Sequence, residues 1–282
     1  MLMRRLLLTI AAVVISAQVF ASAAAPAPDG NVVDDELERL VSEFISRYGL
    51  SEHSFSFAYY NITTGETYLY NEQKQMLAAS IYKLPLAMYY YDRIEEGSIE
   101  TNRSYAGHSL DNALRLTLQY SDNETALAMY NSIGRFADYT NALLEYMAVP
   151  TEERGLRTFN DNRYSALEVL NILKHLYNNS EKYPDAIEHL KAASPGTYFK
   201  RYVSDYEIAH KYGYLHPDED RPVIANAAGI VYTPTPYLLV VFTSGKGGEV
   251  ISRLNEMLCE YTVKKHTKVR VVYIPWKIDF PM

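Results

Sequence analysis

Cysteine is nearly absent from this sequence, since Cys259 is the only one among 282 residues. A single cysteine excludes an intramolecular disulfide and any metal site that is built from cysteines. The seven histidines form neither an H-x-H pair nor an H-E-x-x-H motif, so they show no metal-binding spacing. We therefore expect no metal ion and no other cofactor.

Positive charge is also scarce. The chain has 27 lysines and arginines against 34 aspartates and glutamates, which gives a net charge of −7. This balance argues against a protein that binds nucleic acid or anionic membranes in general. We therefore expect no nucleic-acid partner.

The chain has no apolar run as long as a transmembrane helix requires, which is about 20 residues. The apolar run at residues 6–20 is shorter, follows Arg4 and Arg5, and is followed by small residues at 21–23. This arrangement is typical of a secretory signal peptide, and we predict cleavage after Ala23. We therefore expect a secreted or extracytoplasmic protein without a stable membrane anchor.

Strand patterns occur early and late in the chain, with helical patterns between them. Residues 55–61 and 66–71 predict a hairpin, and residues 210–215, 223–232 and 237–243 predict three late strands. Because a two-stranded hairpin is marginal alone, the early strands should pair with the late ones. The sequence therefore predicts an α+β fold: an antiparallel sheet flanked by N- and C-terminal helices, with an inserted all-helical subdomain.

Helical periodicity and turn residues define the predicted segments. Helices are predicted at residues 34–48, 81–96, 109–119, 124–133, 136–147, 165–178 and 249–263. The predicted organisation is a signal peptide at 1–23, a linker at 24–31, a discontinuous sheet subdomain at 32–97 and 205–266, a helical subdomain at 98–204, and a C-terminal tail at 267–282.

The first candidate motif is Ser80-Ile81-Tyr82-Lys83, an S-x-x-K motif at the start of a predicted helix. A serine at a helix start has a simpler explanation as an N-cap. Lys83 favours a catalytic role for Ser80, because it lies on the same face of the first turn within reach of the hydroxyl. A cation is disfavoured at a helix N-terminus, so this position should lower the pKa of Lys83, as an activating amine requires.

The second motif, Ser121-Asp122-Asn123, falls on a turn between two helical segments. Ser121 or Asp122 can cap the helix that follows, and we expect that one of them does. In the catalytic interpretation, Ser121 relays a proton to a leaving nitrogen and Asn123 hydrogen-bonds a substrate amide.

The third motif, Lys211-Tyr212-Gly213, lies on a predicted strand. A lone lysine on a strand is usually a solvated edge residue. Gly213 inside the strand indicates that another group approaches the backbone closely, and a substrate lying along the strand edge would do so. Lys211 would then bind a substrate carboxylate and help to keep Lys83 deprotonated.

Three such motifs in this order are the signature of active-site serine enzymes that attack β-lactams or D-alanyl peptides. The chain resembles the class A β-lactamase and penicillin-recognising serine hydrolase family, and more closely its secreted serine hydrolase branch, over residues 34–266. The resemblance implies a β-lactamase/transpeptidase-like fold and a Ser80 that the substrate acylates. The backbone N–H groups of Ser80 and Tyr214 would form the oxyanion hole.

Three features depart from the family pattern. Residues 157–165 lack the E-x-x-L-N motif whose glutamate activates the deacylating water, and Asp161 is the one substitute base there. Tyr212 replaces a small hydroxyl residue, and a phenol cannot occupy the place of a threonine. The intervals between the motifs are shorter than usual, which implies a trimmed helical subdomain.

These observations lead to one expectation and two alternatives. We expect acyl transfer through an acyl-Ser80 intermediate on a β-lactam, with slow deacylation. One alternative is a D-alanyl peptidase-like or other amide or ester hydrolase, and the other is a cell-wall or β-lactam binding protein without turnover. The expected substrate is a small or peptide-like amide, and the expected state is a monomer.

Overall fold

The computed structural model describes residues 34–150, 162–193 and 197–267. The predicted signal peptide and linker, Asp161, and the predicted tail beyond residue 267 lie outside the described residues. Within the described ranges, no helix combines the length and the apolar character that crossing a membrane requires. Cys259 is a buried free thiol, as expected for a residue on the inner side of a helix.

The described chain alternates helices and strands around one main sheet. The α-helices are α1 (Asp35–Tyr48), α2 (Lys83–Glu95), α3 (Leu110–Arg115), α4 (Asn123–Asn131), α5 (Phe136–Tyr146), α6 (Ala166–Asn178), α7 (Pro184–Lys191) and α8 (Gly248–Thr267). The strands are β1 (Phe55–Asn61), β2 (Thr67–Tyr70), β3 (Met76–Leu77), β4 (Arg163–Tyr164), β5 (Ile208–Leu215), β6 (Ile224–Val231) and β7 (Tyr237–Ser244). Short 3₁₀ helices cover Ala79–Tyr82, Ser180–Lys182 and Tyr198–Lys200, and a π-helical turn covers Leu116–Tyr120.

The main sheet has the strand order β2-β1-β7-β6-β5, and all neighbouring strands are antiparallel. Strand β1 pairs with β7 along its whole length, from Phe55 opposite Thr243 to Asn61 opposite Tyr237. The prediction that the early strands pair with the late ones is confirmed, and so is the α+β fold class. Strand β5, which carries the third motif, lies at one edge of the sheet.

The two faces of the sheet carry separate apolar cores, because successive side chains of a strand point to opposite faces. On one face, Leu239 belongs to a buried cluster with Leu37 of α1 and Leu254 of α8. On the other face, Val240 belongs to a cluster with Leu173 of α6. The terminal helices therefore cover one face, as predicted, and helices from the middle of the chain cover the other.

Several local predictions were wrong. The predicted helix at 109–119 is α-helical only to Arg115 and then widens into the π-helical turn. The predicted helix at 81–96 opens as a 3₁₀ turn, so that α2 begins at Lys83. Helix α7 and the short β3–β4 pair have no counterpart among the predicted elements, because each is too short for a clear periodic pattern. The subdomain boundaries stay a prediction.

Candidate active site

Ser80 lies in the 3₁₀ turn that precedes α2, directly after a residue with an unusual backbone conformation. Ala79 has a φ of +52°, in the left-handed region that costs a non-glycine residue about 1–3 kcal/mol. No side-chain hydrogen bond caps this turn or the start of α2, so the simpler explanation of Ser80 as an N-cap is wrong. The chain instead makes a strained turn at Ser80, and the Ser80 hydroxyl does not cap the helix.

Two asparagines hold the backbone that leads into this turn. The carbonyl oxygen of Asn162 accepts a hydrogen bond from Ala78 N at 2.9 Å, and its Nδ2 donates to Ala79 O at 2.9 Å. Asn226, which is fully buried in β6, donates from Nδ2 to Leu77 O at 2.9 Å. The strained segment is therefore fixed from two parts of the chain.

Gly213 allows this segment to lie directly against β5. A Cβ atom at position 213 would meet Ala78 O at 2.8 Å and Ser80 N at 3.0 Å, closer than side chains tolerate. The close approach predicted from Gly213 is confirmed, and this backbone is the group that approaches it; a substrate lying along the edge of β5 stays a prediction. Ser80 N thus lies beside the residue that precedes Tyr214, and the oxyanion hole formed by these two N–H groups stays a prediction.

Lys83 is fully buried in the first turn of α2. Its Nζ donates to Ser121 O and to Asn123 Oδ1, each at 2.6 Å, and lies 3.5 Å from Ser121 Oγ. Burial lowers the pKa of Lys83 from 10.5 to about 8, although the charge of Asp122 partly opposes this. The direction agrees with the prediction, and burial is the main cause. The described hydrogen bonds of Lys83 lead to the S-D-N turn.

The S-D-N turn follows the π-helical turn, a local irregularity that often occurs at functional sites. Ser121 has a φ of +58°, and Asp122 is the N-cap of α4, with its Oδ1 accepting from Thr125 N at 2.8 Å. Asp122 is therefore the capping residue of the two considered. The hydroxyl of Ser121 is left to face the lysines.

Lys211 approaches Ser121 from the sheet side of the site. It is fully buried, and its Nζ donates to Ser121 Oγ at 2.8 Å and to Tyr212 O at 2.9 Å. Burial, together with the charge of Lys83, holds the pKa of Lys211 well below its usual range. The explanation of Lys211 as a solvated edge residue is therefore wrong. Two lysines converge on one hydroxyl, and nearby like charges disfavour protonation of both at once.

Asn162 and Asn226 were not among the site residues predicted from the sequence. Asn226 had a signal, because it is a polar residue inside the otherwise apolar strand β6, and buried polar groups need hydrogen-bond partners. Asn162 gave no such signal, because asparagine is common in turns, where its side chain bonds to the nearby backbone.

The arrangement brings together what acyl transfer requires: a hydroxyl on a strained turn, a buried amine of lowered pKa, and a second hydroxyl between two lysines. Within the described ranges, no group of three histidine, cysteine or acidic side chains is placed to hold a metal ion.

Comparison with known proteins establishes the family. A model of the β-lactamase enzyme family matches residues 35–107 and 102–258, and the chain belongs to that family of serine hydrolases. A search of curated proteins found no match.

Solved structures share the fold at low sequence identity. A β-lactamase from Chitinophaga pinensis has 18% identity and a TM-score of 0.68, and the match covers 81% of this chain and 100% of that chain. A class A β-lactamase from Bacteroides cellulosilyticus has 15% identity and a TM-score of 0.67, with coverage of 80% and 98%. PBP-A has 14% identity and a TM-score of 0.67, with coverage of 81% and 97%.

The variant Asn226→Ala tests whether Asn226 fixes the backbone that leads into the Ser80 turn. It removes the hydrogen bonds of the Asn226 side chain to Leu77 O and Thr243 N. We expect a loss of about 1–3 kcal/mol in the free energy of unfolding, measured with urea. We also expect acylation of Ser80 to slow by up to about 10²-fold, because small displacements of a nucleophile are costly.

The matched control is Asn255→Ala. Asn255 is also fully buried and bridges Phe199 O and the Tyr237 hydroxyl, on the opposite face of the sheet. It should lose comparable stability while acylation by the folded protein stays within about twofold. Equal slowing in both variants would mean that Asn226 acts on stability alone.

Proposed function

We propose that this protein forms an acyl-Ser80 intermediate from a β-lactam or a related amide and releases the acyl group slowly. The observation that carries the proposal is the convergence of Lys83 and Lys211 on Ser121, next to the turn that bears Ser80. Membership of a serine hydrolase family supports the reaction class. The substrate and the slow release go beyond the family match.

Acylation would start with neutral Lys83, which accepts the hydroxyl proton of Ser80 as the oxygen attacks the substrate carbonyl carbon. The backbone N–H groups of Ser80 and Tyr214 would stabilise the oxyanion. When the C–N bond breaks, the proton would pass through Ser121 Oγ to the leaving nitrogen, leaving an ester on Ser80. The contacts of Ser121 Oγ with both lysines support this relay, and Asn123 would hydrogen-bond the substrate amide.

Release by water needs a base that can activate the water. The motif that supplies a glutamate in class A β-lactamases is absent from residues 157–165. Asn162 adjoins the Ser80 turn, but its side-chain amide donates to Ala79 O and is not a base. A variant of PBP-A, a protein of similar fold, was solved as an acyl-enzyme complex with penicillin G. These observations support an acyl-enzyme that accumulates.

Two other functions use the same residues. A D-alanyl peptidase-like or other amide or ester hydrolase would acylate Ser80 but react poorly with β-lactams. A binding protein would become acylated without turnover. The buried and lowered-pKa Lys83 favours an enzyme, because such a group has a cost in stability and a use in catalysis.

We also propose that the protein is exported, on the evidence of the basic, apolar and small-residue segments at residues 1–23. Mass spectrometry of protein recovered from the producing cells should find an N-terminus at Ala24. Recovery of protein that begins at Met1 only would contradict the proposal.

Slow release predicts burst kinetics. Mixing the protein with a chromogenic cephalosporin should give about one equivalent of product per enzyme, followed by a much slower steady rate. Mass spectrometry should show a penicillin adduct on the Ser80 peptide that persists for minutes, and Ser80→Ala should show none. A fast linear progress curve without an adduct would indicate an efficient deacylating base. An adduct in Ser80→Ala would contradict the assignment of the nucleophile.

The lowered pKa of Lys83 predicts a rise of activity with pH. Since neutral Lys83 accepts the proton, the second-order rate of acylation should increase with pH below about 8 and level off above it. Acylation can be followed by labelling with a fluorescent penicillin between pH 6 and pH 9.5. Lys83→Ala should lose about 10²–10⁴-fold in rate, together with this pH dependence. Retention of the same profile in Lys83→Ala would assign the titration to another group.

A further inference from the structure

Tyr212 is held beside Lys211 and the S-D-N turn. Its ring stacks on Tyr198, with 5.7 Å between centroids and an angle of 15° between planes. Its hydroxyl donates to Tyr120 O at 3.3 Å, the residue that precedes the S-D-N turn. Tyr212 therefore connects edge strand β5 to the helical wall of the site.

The ring of Tyr212 covers Lys211. Lys211 Nζ lies 4.3 Å from the centroid of this ring, in a cation–π position. Two N–H donors of its Nζ are already used by Ser121 Oγ and Tyr212 O, and the side chain is fully buried. A substrate carboxylate cannot reach Lys211 while the ring stays in place.

The strand that pairs with β5 offers no replacement cation opposite Lys211 and Tyr212. On the paired strand β6, the residues opposite Lys211 and Tyr212 are Ala228 and Ala227. Beyond the ring, Arg201 lines the same groove as Tyr212, but its guanidinium is paired with Glu249 at 2.8 Å. The low pKa of Lys211 further reduces the positive charge available. A carboxylate placed here would lose water without gaining a partner, which is unfavourable.

The groove beyond the ring suits an uncharged group instead. It has a volume of about 390 Å³ and is lined by Tyr198, Tyr212 and Tyr214, among others. Tyr214 is 41% exposed and follows Gly213, which contacts the Ser80 turn. Aromatic faces that border this groove can stack on an apolar group.

We propose that Tyr212 closes the carboxylate subsite, so that this enzyme prefers acyl donors that are uncharged next to the scissile bond. This inference rests on the proposed acylation of Ser80 and names the substrate class that the site prefers. Penicillins and cephalosporins carry a carboxylate next to the lactam nitrogen, so they should acylate Ser80 more slowly than donors that are uncharged there. It replaces the role in carboxylate binding that the sequence suggested for Lys211.

The test uses two phenylacetylglycyl esters with the same acyl group. Their leaving groups are 3-hydroxybenzoate, which carries a carboxylate, and methyl 3-hydroxybenzoate, which does not. We expect kcat/KM of the wild type to favour the neutral ester by at least about tenfold. Tyr212→Thr should shift this ratio about 10–100-fold toward the carboxylate ester, the size of one hydrogen bond to a charged group. The ratio is internal to one preparation, so loss of folded protein in a variant does not alter it.

The control is Tyr212→Phe, which keeps the ring and loses the hydrogen bond to Tyr120. It should keep the preference of the wild type for the neutral ester. The inference is overturned if the wild type prefers the carboxylate ester, if Tyr212→Thr leaves the ratio unchanged, or if Tyr212→Phe shifts it equally. If one of these results is obtained while both esters still form Ser80 adducts, the proposed function stands and only this inference fails. If neither ester forms a Ser80 adduct, both the proposed function and this inference are contradicted.

Discussion

The contact between the backbone of residues 77–80 and strand β5 is the constraint on which the rest of the site depends. It exists because position 213 has no Cβ, and the two asparagines fix the same backbone from its other sides. A left-handed Ala79 persists only when its surroundings determine it this strictly. The position of Ser80 is thus a property of three separate segments and not of its own helix.

The sharing of one hydroxyl by two lysines is the second organising feature. Ser121 itself has a left-handed backbone conformation at the end of the π-helical turn, while Asp122 caps α4. Because Asp122 is the cap, the hydroxyl of Ser121 can contact both Lys83 and Lys211. Both lysines are buried without a carboxylate among these partners, so burial favours their neutral forms.

The sequence was sufficient for the sheet and for the identity of the three motifs, because alternation patterns and motif spacing are local signals. It failed where a long-range contact decides the outcome. The group that approaches Gly213 could be any backbone or ligand, and only the folded chain shows it to be residues 78–80. The hydrogen bonds of Lys83 to Ser121 and Asn123 likewise depend on how two helices pack.

The groups that surround Ser80 are far apart along the chain. Leu77 and Asn226 are 149 residues apart, and Lys211 and Ser121 are 90 residues apart. Contacts of such long range slow folding, because their loop-closure entropy must be overcome first. In an incompletely folded chain both lysines are solvated and protonated, and the serine has an ordinary hydroxyl. The surroundings of Ser80 therefore depend on contacts with the last strands of the sheet, β5 and β6.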